Sequence, residues 1–171
     1  GLFNGLLIAY FKIPAILATL GAMKLFDGIA TVITGGAALR DYPLVVADLA
    51  NKNVLLVPIS FYIFIIAGIL LWIIMDKTKT GQAIYLYGEN PKVSRYSGLN
   101  NRMTLMKAYG ICGIMGGLSG MIMMSRFNSM KVGYGSTYQL LAVLVSIMGG
   151  VHPDGGKGNV LCVFFSVLTL Q

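Results

Sequence analysis

An all-α fold, a polytopic bundle of transmembrane helices with a re-entrant or broken helix near the C-terminus, is what this sequence predicts. Three observations lead there. Only 11% of the 171 residues are charged and 56% are hydrophobic. An ordinary soluble domain has about 25% charged residues, so a polar shell around a soluble core is out of reach. Apolar runs recur at lengths that cross a bilayer, about 20 residues at 1.5 Å each. Between two of these runs lies a basic island containing Lys77, Lys79, Lys92, Arg95, Arg102 and Lys107 against one acid, Glu89.

The elements follow in order. Residues 2–11 read as the end of a span, closed by Lys12. Residues 13–35 form the first full transmembrane helix. It carries Lys24 and Asp27 three apart on one face, read as a mutually neutralising pair or as a polar group facing a translocation path. Residues 36–53 form a charge-balanced loop with Arg40, Asp41, Asp48 and Lys52. Residues 54–75 are the clearest span, with Pro58 near the start, where proline is tolerated, and Trp72 near the far end, where an interfacial aromatic belongs. Residues 76–104 are the basic loop and 105–124 the next span. In that span Gly113 with Gly117, and Gly116 with Gly120, make G-x-x-x-G patterns that let helix backbones approach closely in lipid. Residues 125–137 are a short polar loop. Two short apolar helices, 138–151 and 158–171, flank a glycine-rich turn. Neither is long enough to fill a ~30 Å hydrocarbon core, which is the reason for expecting a re-entrant or broken helix.

Charge sets the orientation. The loops 36–53 and 125–137 carry two basic residues each, and the segment 76–107 carries six. Basic loops stay on the cytoplasmic side, so 76–104 is expected there, with Lys12 on the same side. Topology accounts for the net charge of +7, and no aromatic-interleaved basic patch calls for nucleic acid as a partner. Both ends read as cut, so the sequence is expected to be the C-terminal part of a longer chain whose N-terminal spans are missing.

Several motifs are decoys. The run GGVHPDGGKG lacks the Walker A pattern: Val151 stands where the first glycine belongs, and Gly158 where the Ser/Thr that binds magnesium belongs. A single histidine, His152, builds neither a zinc site nor a triad. Cys112 and Cys162 fall in apolar runs and read as small core residues. No paired carboxylates suit acid–base hydrolysis. No metal and no cofactor is expected on this chain.

The basic loop has internal order. Gly88-Glu89-Asn90-Pro91 reads as a turn leading into a helix, with Asn90 as cap and Pro91 at the first helical position. Lys92 to Ser97 then make a short helix ended by Gly98. Val93 and Tyr96 are available to pack in a groove of another protein; a solvated loop that only sets topology is the alternative.

The run TGQAIYLYGENPKVSRYSGLN is similar to the pattern T-G-R-x-I-Y-A-x-G-G-N-P-x-A-A-R-x-S-G-I. That pattern belongs to the permease subunits of ATP-binding-cassette importers for monosaccharides, the ribose/xylose/galactoside-like group. Three further stretches agree with the same family: the N-terminal NGLLIA…KIPAILATLG…ITGG, then GYGSTYQLLAVLVSIMGG, then HPDGGKGNVLCVFFSVL. The resemblance covers nearly the whole chain. It implies a subunit that does no chemistry and moves a monosaccharide by alternating access, in the plasma (inner) membrane. Implied partners are an ATPase subunit that hydrolyses ATP, a second permease copy, an extracytoplasmic solute-binding protein and membrane lipid. The residues matching the family's ATPase-coupling loop are Gly88, Glu89, Asn90, Pro91, Ser94, Arg95, Ser97 and Gly98. A short helix seated in an ATPase cleft would convert its closure into rotation of the spans. Polar residues on apolar helices, Asn4, Thr19, Thr34, Ser119 and Ser146, are candidates for the translocation path or for hydrogen bonds between helices.

The sequence departs from the pattern at Glu89 (usually glycine), at Val93-Ser94 (usually Ala-Ala), at Asp27 (usually arginine), at Gln139 (usually acidic) and at Phe164 and Phe165 (usually glycine-rich). The same fold family also serves nucleosides, signalling furanosides and branched-chain amino acids. A secondary transporter, a channel or a membrane scaffold are readings from other classes.

Overall fold

A computed structural model describes residues 1–40, 53–54, 57–152 and 155–170. Asp41, Asp48 and Lys52 of the first loop, and Pro153 and Asp154 of the glycine-rich turn, lie outside the described residues. The described chain is all-α apart from four two-residue strands. Among the described residues, three helices are long and apolar enough to cross a membrane: Ala15–Thr34, Ile59–Lys77 and Asn101–Phe127. Their side chains are largely unburied; Ile16, Val32, Ile33, Ile66, Ile114 and Met121 are all more than half exposed. Apolar exposure on this scale belongs in lipid or against other membrane helices.

Helix α1 spans Leu2–Phe11 and stops at Lys12, which takes a left-handed conformation at φ 54°. Proline 14 then caps α2, Ala15–Thr34. Glycine ends that helix: Gly35, at φ 60°, and Gly36 both donate to the Thr31 carbonyl. Strand β1, Leu39–Arg40, follows.

The next span differs from the sequence expectation at its start. Strands β2 (Asn53–Val54) and β3 (Val57–Pro58) pair as an antiparallel hairpin. Helix α3 begins only at Ile59, with Pro58 as N-cap, and runs to Trp72. Proline explains the delay: it disfavours helical geometry in the residue before it and has no N–H to donate. A π turn, Ile73–Lys77, extends the helix. At this end the Lys77 ammonium sits 5.5 Å from the centre of the Trp72 ring, a cation–π pair at the level where Trp72 was expected as an interfacial aromatic.

The segment 76–104, read from the sequence as a loop, is mostly helical. Helix α4 spans Lys79–Glu89 and α5 spans Pro91–Tyr96. Helix α6 starts at Asn101 rather than 105 and runs to Phe127. Thr78 begins α4: its hydroxyl accepts from the Gly81 N–H at 3.3 Å and donates to the Ile74 carbonyl at 2.5 Å. Asn100 caps α6, its side chain accepting from the Arg102 and Met103 N–H groups. Span-length hydropathy passes over α4, because its apolar residues, with Gly81 and Ala83 buried, occupy one face of a short and otherwise polar helix.

Helix α6 ends at Asn128, left-handed at φ 46°, and leads into β4, Ser129–Met130. β4 pairs antiparallel with β1, so the segments after α2 and after α6 meet at one end of the bundle. Helices α7 (Ser136–Met148) and α8 (Val160–Leu170) are both too short to cross a bilayer. They fold back on each other: the Ser166 hydroxyl donates to the Val145 carbonyl at 2.7 Å, and Gly149 lies against Val163. The apolar run is therefore broken, as expected, into a helical hairpin. Phe164 of α8 stacks on Phe64 of α3 at 4.9 Å. This gives a packing role to one of the phenylalanines that replace small family residues.

Helices α1 and α6 form the main seam, running antiparallel. Gly5 lies against Met106 and Tyr109, and Gly1 against Tyr109 and Gly113. Small residues here let the two backbones come close. The G-x-x-x-G expectation is only partly met. Gly113 packs on Gly1, but Gly116, Gly117 and Gly120 meet nothing within 4 Å among the described residues. Replacing Gly5 with leucine is expected to cost about 1–3 kcal/mol by overpacking, read as a lower melting temperature in detergent. The same change at Gly120 is expected to leave the melt unchanged.

Candidate functional site

The segment Gly88 to Gly98 is built by local hydrogen bonds. The Asn90 N–H closes α4 on the Leu86 carbonyl, and its extended backbone (φ −157°) turns the chain. The Asn90 side-chain oxygen then accepts from the Lys92 N–H at 2.9 Å and the Val93 N–H at 3.4 Å, with Pro91 following at the first helical position. These two devices satisfy the orphan donors of α5 and pre-set its first φ. At the far end Ser97 donates from its hydroxyl to the Val93 carbonyl. Gly98 takes φ 77°, open to glycine at little cost, and stops the helix. Cap, proline and stop all fall where the sequence suggested. Gly88 and Glu89 do not: they are the last turn of α4 and not a free turn. Amide-to-carbonyl bonding carries α4 through them up to the Asn90 cap.

The short helix is pinned on one side only. Ser94 is fully buried, and its hydroxyl donates to the Asn101 side-chain oxygen at 2.9 Å. The Asn101 amide in turn donates to the Pro91 carbonyl at 2.9 Å. One asparagine at the start of α6 therefore holds both ends of the first turn of α5. Sequence reading missed Asn101; its position in the first turn of a long helix, directly after the short one, was the available signal. The opposite face of α5 is open. Tyr96 is 91% exposed and Val93 49% exposed, flanked by exposed Lys92 and Arg95. On α4, burial and, secondarily, the Asp76 carboxylate push the Tyr85 phenol above its usual range, so it stays neutral.

A second contact was invisible in the sequence. The glycine-rich turn after α7 lies on the α4–α5 junction. Gly88 packs against Gly155 and Gly156, backbone to backbone. A side chain at Gly156 would stand 2.6 Å from the Glu89 nitrogen and 2.7 Å from its Cα. Gly156 presents no side chain there, which lets the turn seat on the Glu89 backbone. The run that mimicked a phosphate loop is thus a contact surface, turned by the His152 N–H donating to the Lys157 carbonyl at 3.0 Å.

The translocation-path candidates are spread over four helices. Thr19 and Thr34 on α2 donate to the Ala15 and Ala30 carbonyls of their own helix. Ser119 on α6 donates to Gly116, and Ser146 on α7 to Ala142. Ser146 also lines a concavity of about 350 Å³ with Gln139, Ala142, Val143, Ile147 and Val151. Asn4 on α1 keeps a buried side-chain oxygen without a hydrogen-bond partner among the described residues. No group of three or more metal-ligating side chains gathers among the described residues.

Comparison with known proteins gives a consistent result. Residues 1–171 match the family described as the branched-chain amino acid transport system / permease component. The chain is 31% identical over 174 aligned positions to the autoinducer 2 import system permease protein LsrD of Yersinia enterocolitica. It is 30% identical to the proteins of the same name from Escherichia coli strain K12 and Shigella flexneri. Each alignment covers 98% of this chain and 53% of the relative, so the chain spans about half the length of the curated relatives it matches. No solved structure matches.

Proposed function

Because this chain belongs to the family of permease components of branched-chain amino acid transport systems, we propose that it is a membrane-spanning subunit of an ATP-binding-cassette importer. It forms part of the translocation path, works by alternating access and catalyses no reaction itself. A separate ATPase subunit supplies the energy, and no cofactor resides on this chain. A second permease copy and an extracytoplasmic solute-binding protein complete the assembly. The membrane is the plasma (inner) membrane, with 76–104 on its cytoplasmic side, where the basic residues favour it.

The observation that carries this reading is the one-sided helix α5. It is capped by Asn90, clamped through Ser94 to Asn101, and presents Val93 and Tyr96 outward. A rigid, short helix with an exposed aromatic suits insertion into a partner's groove. Gly88, Glu89, Asn90, Pro91, Ser94, Arg95, Ser97 and Gly98 are the residues we assign to ATPase coupling. Asn4, Thr19, Thr34, Ser119 and Ser146 are assigned more weakly to the path.

For the solute we assign a monosaccharide. A second reading, a carbohydrate-like signal such as autoinducer 2, is favoured by the names of the relatives. Replacing Val93 and Tyr96 with aspartate is expected to reduce co-purification with the ATPase subunit more than tenfold, with an unchanged melting temperature. Unchanged association would defeat the coupling assignment. Solute uptake that persists without ATP would point to a secondary transporter instead.

A further inference from the structure

A concavity of about 620 Å³ opens where α1 ends and α6 begins, beside α5. Its lining includes Lys12, Arg95 and Arg102 and, among the described residues, no acidic residue. Arg102 is held in place, its guanidinium 5.1 Å from the centre of the Tyr10 ring. It lies in the first turn of α6, which contains no acid, so its charge adds to the positive end of the helix dipole instead of opposing it. A neighbouring concavity shares Leu99 and Asn100 and adds Lys79 and Lys107. Positive charge is thus concentrated around one helix start, with no acid among the described lining residues to neutralise it.

The rest of the lining is mixed, with Tyr87, Asn100 and Asn101 beside an apolar side. Ile8, Ala9, Leu99 and Leu105 form part of the wall. Tyr10 and Phe11, adjoining it on α1, are 55% and 67% exposed. A cavity with cations on its polar side, running out onto an exposed apolar helix, matches an amphiphile better than a fully soluble anion. It also lies at the level where α1 ends and α2 and α6 start, which is where headgroups meet a membrane helix. Its volume falls in the ~300–1,000 Å³ range of small-ligand sites.

We propose that Lys12, Arg95 and Arg102 bind the phosphate of an anionic phospholipid headgroup, whose acyl chains run along α1. The inference rests on the membrane-permease reading, but not on the ATPase docking. Native mass spectrometry of the intact protein, purified in detergent, tests it. Phosphatidylglycerol should be retained and phosphatidylcholine should not. A Lys12→Gln/Arg102→Gln variant should retain phosphatidylglycerol about thirtyfold more weakly, taking roughly fivefold per basic residue near an anionic surface. A Lys12→Arg/Arg102→Lys variant, which keeps the charges, should bind as the parent does and serves as the folding control. Equal retention of the two lipids, or no effect of the charge-neutral variant, overturns the proposal. Competition by inorganic phosphate at equal concentration would reassign the cavity to a soluble anion. Loss of ATPase association with unchanged lipid retention in the charge-neutral variant would reassign it to an acidic surface of the partner. Failure of the coupling reading shows separately, in the Val93 and Tyr96 variant.

Discussion

Replacing Gly156 with alanine is expected to destabilise the protein by about 2–5 kcal/mol and to abolish uptake. Two costs add. Gly156 has φ 78°, and a non-glycine residue in the left-handed region costs about 1–2 kcal/mol. The added carbon would also stand 2.6 Å from the Glu89 nitrogen and 2.7 Å from its Cα. Those are backbone atoms at the end of α4 and cannot rotate away, and forced repacking of this kind costs about 1–3 kcal/mol. Gly98→Ala is the control. It has nearly the same φ, 77°, and meets nothing within 4 Å, so it is expected to show the backbone cost alone. A thermal melt in detergent checks the difference. Equal melting temperatures for the two variants would mean that the glycine turn does not press on the α4–α5 junction.

Asn101→Leu is expected to leave the spans folded but to free α5. The substitution removes two hydrogen bonds, from Ser94 and to Pro91. It also leaves the fully buried Ser94 hydroxyl without that acceptor. An unsatisfied buried hydroxyl costs about 1–3 kcal/mol. At about 2 kcal/mol, the ratio of clamped to released helix falls by about thirtyfold. Under the proposed function, ATP hydrolysis by the partner should continue while uptake drops at least tenfold. A Ser94→Ala change in the same background should restore part of the uptake, because it removes the orphaned group. Uptake that stays at the parental level in Asn101→Leu would show that the clamp does not transmit force.

Much of the segment around α5 was readable without a structure, because its signals are local. An asparagine followed by proline, and a glycine a turn and a half later, act on the backbone of their own neighbours. The long spans were readable for a similar reason: about 20 apolar residues have few alternatives to a membrane helix. The polar helix α4 was not readable. Its residues Lys79 to Glu89 are too few and too polar to read as a span, and its start depends on the Thr78 side chain bridging Ile74 and Gly81. The start of α3 was read five residues early, because hydropathy treats Val54 and Val57 as span while Pro58 forces extended backbone before it. The path candidates show the limit most clearly. Composition identified hydroxyls on apolar helices, but only coordinates reveal that Thr19, Thr34, Ser119 and Ser146 spend them on their own helix turns.

By itself the sequence determined that the chain is a helical membrane protein, which of its segments are long enough to cross, and that a capped helix stands in the basic island. Each of these follows from free energies summed over neighbouring residues, through transfer of apolar runs into lipid and backbone donors satisfied within a turn. Tertiary structure alone decided that Asn101 clamps Ser94, that Gly156 seats on Glu89, and that Lys12 joins Arg95 and Arg102 around one cavity. Asn101 reaches Ser94 across the turn between consecutive helices, 7 residues on, whereas the other partners are 67, and 83 and 90 residues apart, and no local rule relates positions so distant. Those meet because the antiparallel packing of α1 on α6 and the hairpin of α7 and α8 bring remote segments together.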